Sequence, residues 1–155
     1  MNKNKKHIIL YIVLIAILFV GLYFIGNYNM KYQNAVEDKN RFEFNYRYQY
    51  EEQEYNFSIK KDDNKFYYLY EIKNEDNITS NTYVVNATVK NEILDLAQKY
   101  NYLEWPKLKD KDASDYDVKL ELITDGYCYK VNNRQDINQD LFIEANQLLE
   151  SYIKE

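Results

Sequence analysis

Phe42–Tyr50 reads FEFNYRYQY, with Phe42, Phe44, Tyr46, Tyr48 and Tyr50 alternating with Glu43, Asn45, Arg47 and Gln49. A period of two sends successive side chains to opposite faces, so the five rings share one face and the polar residues the other. This is the pattern of a half-buried strand. The residues after it continue in the same way. The acidic turn Glu51–Glu54 leads to Tyr55, Phe57 and Ile59, again alternating. Lys61, Asp62, Asp63, Asn64 and Lys65 supply turn chemistry, and Phe66–Lys73 follows as an aromatic-rich third strand. Ile78–Val85 is a weaker fourth.

From Val89 the period changes. Val89, Ile93, Leu96, Ala97 and Tyr100 form one stripe of an amphipathic helix, which Asn86 or Thr88 can cap and Asn101 can end in the left-handed conformation. Tyr102, Leu103 and Trp105 close beneath the domain before Pro106. Tyr116, Val118, Leu120, Leu122 and Thr124 then alternate up to Asp125–Gly126, a two-residue hairpin turn whose positions tolerate positive φ. That turn pairs 124 with 127, 122 with 129 and 120 with 131, which places Leu120, Leu122, Tyr129 and Val131 on one face. Leu141, Phe142, Ala145, Leu148, Leu149 and Tyr152 mark a closing amphipathic helix. The expected fold is α+β: about six antiparallel strands in the order ββββαββα, with two helices on one sheet face.

Upstream of the sheet lies Ile8–Ile25, IILYIVLIAILFVGLYFI, without a charge. As a helix it reaches roughly 27 Å, and with His7 and Gly26 it approaches the roughly 30 Å of bilayer hydrocarbon. Residues 7–26 are therefore expected to cross the lipid bilayer as a helix, the form that satisfies its own backbone there. The core is longer than that of a signal peptide, and cuts after Gly21 or Gly26 would leave Phe19 or Phe24 at −3, where a small residue is needed. Lys3, Lys5 and Lys6 precede the span closely without an intervening acid, whereas Lys31, Lys39 and Arg41 lie farther beyond it among Glu37 and Asp38. The expected arrangement is a cytoplasmic basic leader (1–6), the span (7–26), a helical stalk (27–41) and an extracytoplasmic domain (42–155). The stalk reading rests on Tyr28, Tyr32, Ala35 and Val36 at helical spacing. The prepilin pattern of Gly-Phe or Gly-Met processing, followed by a helix glutamate, does not occur.

Asn, Lys, Ile, Tyr and Phe dominate the composition, with 18 Tyr and 7 Phe against 3 Gly and 1 Pro. Such usage follows A/T-rich codons, so the tyrosines reflect a low-GC bacterial genome before they reflect a ligand. The net charge of −5 is modest and the basic residues are scattered, which leaves no patch suited to nucleic acid. The lone Cys128 forms no intramolecular disulfide and reads as a half-buried strand cysteine.

The succession of apolar helix, LEWPKL (Leu103–Leu108), aspartate-containing loop, strand–Asp-Gly–strand hairpin and last helix resembles small uncharacterised extracytoplasmic domains of clostridia and other low-GC bacteria. The likeness covers roughly residues 42–153 and implies carriage on a membrane helix or a lipoprotein signal. The chain departs from that group in lacking a lipobox Cys and a Gly after Asp115. The resemblance implies no activity.

Asp110, Asp112 and Ser114 with Glu121 partly fit a calcium loop with ligands at positions 1, 3, 5 and 12. The sharp-turn glycine at position 6 is missing, no helix enters the loop, and Glu121 belongs to the polar face of a strand. No metal or cofactor is therefore expected. The only histidine, His7, borders the span, so neither a Ser-His nor a Cys-His nucleophile can be assembled in the domain. Trp105 beside Pro106 reads as a core plug. Together these point to a membrane-anchored, non-enzymatic interaction domain with a protein partner in the membrane or envelope. The alternatives are an envelope enzyme or wall-glycan-binding module, favoured if Tyr67, Tyr83 and Tyr116 cluster beside carboxylates, and a toxin-immunity or membrane-complex subunit.

Overall fold

The computed structural model describes residues 13–24, 35–108 and 117–153. The chain divides into two compact units, Met1–Ala35 and Val36–Glu155. In the first, residues 13–24 form helix α1, with every side chain exposed. Twelve residues reach only about 18 Å, and no helix among the described residues is long and apolar enough to cross a membrane. The rest of the expected span, 7–12 and 25–26, lies outside the described residues.

The second unit is α+β. Its strands are β1 (Glu43–Tyr50), β2 (Gln53–Asp62), β3 (Lys65–Lys73), β4 (Ile78–Val85), β5 (Val118–Thr124) and β6 (Tyr127–Asn132). They form one antiparallel sheet in the order β4-β3-β2-β1-β5-β6. Two-residue turns explain the first two hairpins. Tyr50 pairs with Gln53 around Glu51–Glu52, and Asp62 with Lys65 around Asp63–Asn64. Glu51 and Asp63 both adopt positive φ to make these turns. The expected register of the last hairpin is observed, with Thr124 opposite Tyr127, Leu122 opposite Tyr129 and Leu120 opposite Val131. Asp125 (φ 53°) and Gly126 (φ 78°) form its turn. A Cβ on Gly126 would stand 3.2 Å from the exposed Lys39 side chain, which a small shift of that side chain relieves, so it is the positive φ that favours glycine here.

Helices α2 (Val89–Lys99) and α3 (Asp140–Ser151) cover the same sheet face. Their buried residues, Val89, Ile93 and Ala97 on one and Leu141, Phe142, Ala145 and Leu149 on the other, are stripe positions of the sequence pattern. Thr88 begins α2 without a side-chain cap. Instead Asn86 Oδ1 accepts the Thr88 N–H at 3.0 Å. Asn101 turns left-handed after the helix (φ 53°). Between α2 and β5 lies an element the periodicity does not announce, a 3-10 helix at Tyr102–Lys107. It buries Trp105, whose Nε1 donates to the Tyr100 carbonyl at 3.1 Å. The sequence pattern suggested a helical stalk through residue 41, but 36–41 is irregular, and 27–34 lies outside the described residues. Asp38 explains the break: its carboxylate accepts the Asn40 N–H at 2.8 Å and its carbonyl the Arg41 N–H at 3.2 Å, a local turn that competes with helix.

The core is one-sided. Phe42, Phe44, Tyr46, Phe57, Ile59, Phe66, Tyr68, Leu120, Leu122 and Val131 share the helix-covered face. Tyr68 is fully buried and its hydroxyl has no hydrogen-bond partner among the described residues. Desolvating that hydroxyl costs free energy which the fold does not recover, so Tyr68→Phe should stabilise the domain by about 1 kcal/mol. Urea unfolding followed by Trp105 emission reads this as a higher midpoint at unchanged slope. A lower midpoint would mean that the hydroxyl is satisfied after all.

Candidate functional site

Of the suggested calcium ligands, Asp110, Asp112 and Ser114 lie outside the described residues. Glu121 sits on β5 and accepts an ion pair from Lys130 of β6 at 2.8 Å. Among the described residues no group of three or more His, Cys, Asp or Glu side chains could hold a metal ion. Trp105 is buried, as a core plug should be. Tyr67 and Tyr83 do not meet. Tyr83 is opposite Tyr68 on the helix-covered face, whereas Tyr67, one residue earlier on β3, points to the other face. Tyr116 lies outside the described residues.

Two surfaces stand out. The first is the sheet face away from the helices, on which no described helix lies. Strand alternation brings Glu43, Asn45 and Arg47 of β1 beside Lys60, Ser58 and Asn56 of β2, with Glu121 and Lys119 of β5 on the other flank. Glu43 is the anchor of this face. It is buried, yet it accepts from Arg41 at 2.5 Å, from Asn45 Nδ2 at 2.9 Å and from Lys60 at 3.2 Å. Burial alone would raise its pKa, but these three donors outweigh burial and hold the carboxyl below its ordinary value. Ser58 donates to Asn45 Oδ1 at 2.7 Å, and farther along the face Glu54 pairs with Arg47 at 2.5 Å. Asn56 links Glu54 and Glu71 across β2 and β3. Cys128 also projects here, opposite Ile123. It is half-buried, as the strand reading expected, and burial pushes its thiol pKa up, away from the reactive thiolate.

Alternation puts Glu43 on the face away from the core and says nothing of its burial. The signal that finds the cluster is register. A two-residue turn at 51–52 puts Glu43 opposite Lys60 by counting, two positions from Arg41 and Asn45.

The second surface is a groove of about 680 Å³ between the far end of β1 and helix α3, where Tyr46, Tyr48 and Tyr50 face Phe142, Asn146 and Glu150. Tyr46 and Tyr48 of its lining lie against other rings of the sheet, 5.7 Å from one another, whereas Tyr50 is 63% exposed. Tyr48 stacks on Tyr55 at 4.6 Å with planes 6° apart, Phe57 meets Tyr70 at 5.1 Å, and Tyr48 meets Phe57 at 6.0 Å. A ring stacked on its cross-strand neighbour has given up a face that a sugar would need. Asn146 donates to Glu150 at 2.8 Å, while its buried Oδ1 has no partner among the described residues. The groove offers aromatic edges, amides and a carboxylate but no histidine or thiol. Its chemistry is that of contact, without a nucleophile–base pair. Compared with known proteins, the chain matches no family model, no curated protein and no solved structure.

Proposed function

We propose that this chain is a membrane-anchored, non-enzymatic interaction domain, held on the outer face of a bacterial cytoplasmic membrane by residues 7–26 and recognising a protein partner in the membrane or envelope. The observation that carries the reading is the one-sided core. The sheet buries its apolar side under two helices, and its other side, on which no described helix lies, carries a network of paired charges around the buried Glu43. Such a face, polar and pre-ordered by its own ion pairs, suits a protein surface of matching charge, where complementary potentials set orientation and specificity. The separation of Tyr67 from Tyr83, and the ring stacking of Tyr48 on Tyr55, favour this over a glycan-binding module.

The anchor half of the reading is tested by topology. The full chain carrying Glu75→Cys in a Cys128→Ser background places a thiol on the exposed β3–β4 turn. In intact, wall-stripped cells an impermeant maleimide should label it as fully as after lysis, and the protein should stay in the membrane fraction. Labelling only after lysis would put the domain in the cytoplasm. A mature protein beginning near Asn27 would show a cleaved signal in place of an anchor.

A further inference from the structure

The sheet ends in two different edges. β6 has six residues, includes Lys130, and packs against the 3-10 helix, where Tyr129 meets Tyr102 edge-on at 4.8 Å. β4 has none of the devices that usually keep an edge from pairing. Its eight residues, ITSNTYVV, contain no charge and no proline, and the uncharged run extends from Asn77 to Val89 in a chain that is 29% charged. It pairs with β3 through eight consecutive positions without a bulge, and seven of its eight residues are exposed. Ile78 and Val84 are 63% and 66% exposed, apolar side chains on the same open face of the strand. Long, regular, uncharged edges are templates for another strand.

We propose that β4 is the docking edge for a second copy of this chain, added antiparallel about a two-fold axis at Asn81 to make a continuous twelve-stranded sheet. Self-pairing suits this strand because neither copy brings a charge to the contact, so no like-charge opposition arises. The register follows from parity. A two-fold axis normal to the sheet keeps each side chain on its own face, so only residues of the same face can stand opposite one another. Centred on Asn81, Ile78 meets the second copy's Val84 at both ends of the pair. Ser80 then meets Thr82, and Thr79 meets Tyr83. Centring on Thr82 would set Val84 against Ser80 and leave Ile78 without an apolar neighbour. On the helix side an open shelf of about 690 Å³ between β4 and Tyr152 leaves the incoming strand room. A seven-residue strand pair falls short of the roughly 1,200 Å² of a stable interface, so the dimer is weak in dilute solution and gains from high local concentration.

The test uses the full chain, in cell membranes and in mild detergent, with Asn81→Cys in a Cys128→Ser background. Directly opposed Cβ atoms lie about 4.5–5.5 Å apart, close to disulfide reach, whereas the diagonal neighbours presented by Thr82→Cys are about 7–8 Å apart. Copper-phenanthroline oxidation should give a homodimer from Asn81→Cys and little from Thr82→Cys. Adding Val84→Lys to Asn81→Cys should lower the dimer yield about tenfold, with Trp105 emission confirming the fold. Three results would overturn the proposal: no dimer from Asn81→Cys, equal yields at 81 and 82, or a yield indifferent to Val84→Lys. An adduct of another mass at Asn81→Cys would give the edge to a different protein and equally remove the second copy.

Discussion

Trp105→Ala should cost the domain about 3–5 kcal/mol, a large part of the roughly 5–15 kcal/mol that stabilises a domain of ordinary size. The indole is 1% exposed and lies within the cluster that also holds Val89, Ile93, Ala97 and Val131. Truncating it opens a cavity where α2, the 3-10 helix and β6 converge. It also removes the donor to the Tyr100 carbonyl, and it takes Tyr102 from its edge-on contact at 6.4 Å. Trp105→Phe keeps much of the apolar area and loses the hydrogen bond, so its loss should be smaller. Because the substitution removes the fluorophore, unfolding is followed by far-ultraviolet circular dichroism. A midpoint within experimental error of the parent would mean that the 3-10 helix is a surface appendage and that Trp105 is free to serve a ligand.

The contrast between what the sequence states and what it conceals has a physical basis. The β5–β6 hairpin is legible to the residue because Asp125–Gly126 fixes the turn and a two-residue turn fixes every pair after it. The helical stripes are legible because each is read within a dozen neighbouring residues. The pairing of β1 with β5, Glu43 opposite Ile123 through Tyr48 opposite Val118, has no such local cause. It joins segments far apart in the chain and is decided by which strands can share a core. Tyr50 shows another limit. It belongs to the core-facing alternation but is 63% exposed. A strand of eight residues spans about 27 Å and a helix of eleven or twelve about 17 Å. The helices therefore run out before the strand does, and Tyr50, the last residue of β1, extends beyond their cover, whereas Tyr48 and Tyr55 stay partly buried against the core. The Glu43 cluster was hidden for a related reason. Alternation assigns a face but not its depth, and depth depends on what Arg41, Lys60 and Ile123 bring from neighbouring segments.

Above pH 10 the domain should lose its fold cooperatively, and it should be unfolded by about pH 12. Tyr46, Tyr48, Tyr68 and Tyr70 all have pKa values above the ordinary 10, Tyr48 pushed up to about 12. Burial is the main cause for each, followed by neighbouring tyrosines and by the carboxylate of Glu150, which acts on all four. A phenol whose pKa is raised on folding contributes stability that is fully present below its unfolded pKa. That stability disappears as pH climbs from 10 through the folded values, because the unfolded chain sheds protons that the native state retains. Absorbance at 295 nm, recorded with circular dichroism, should therefore show late phenolate formation coinciding with loss of secondary structure. Glu150→Gln supplies the sign test. Removing the carboxylate charge brings the four folded pKa values nearer to 10 and narrows the gap between native and unfolded states, so the alkaline midpoint should move to higher pH. Glutamine keeps an acceptor for the Asn146 amide that now donates to Glu150 at 2.8 Å, which separates the charge from the hydrogen bond. A midpoint that falls, or four phenols that titrate at 10 with the fold intact, would show that the ring cluster of β1, β2 and β3 is open to water and is not part of the buried structure.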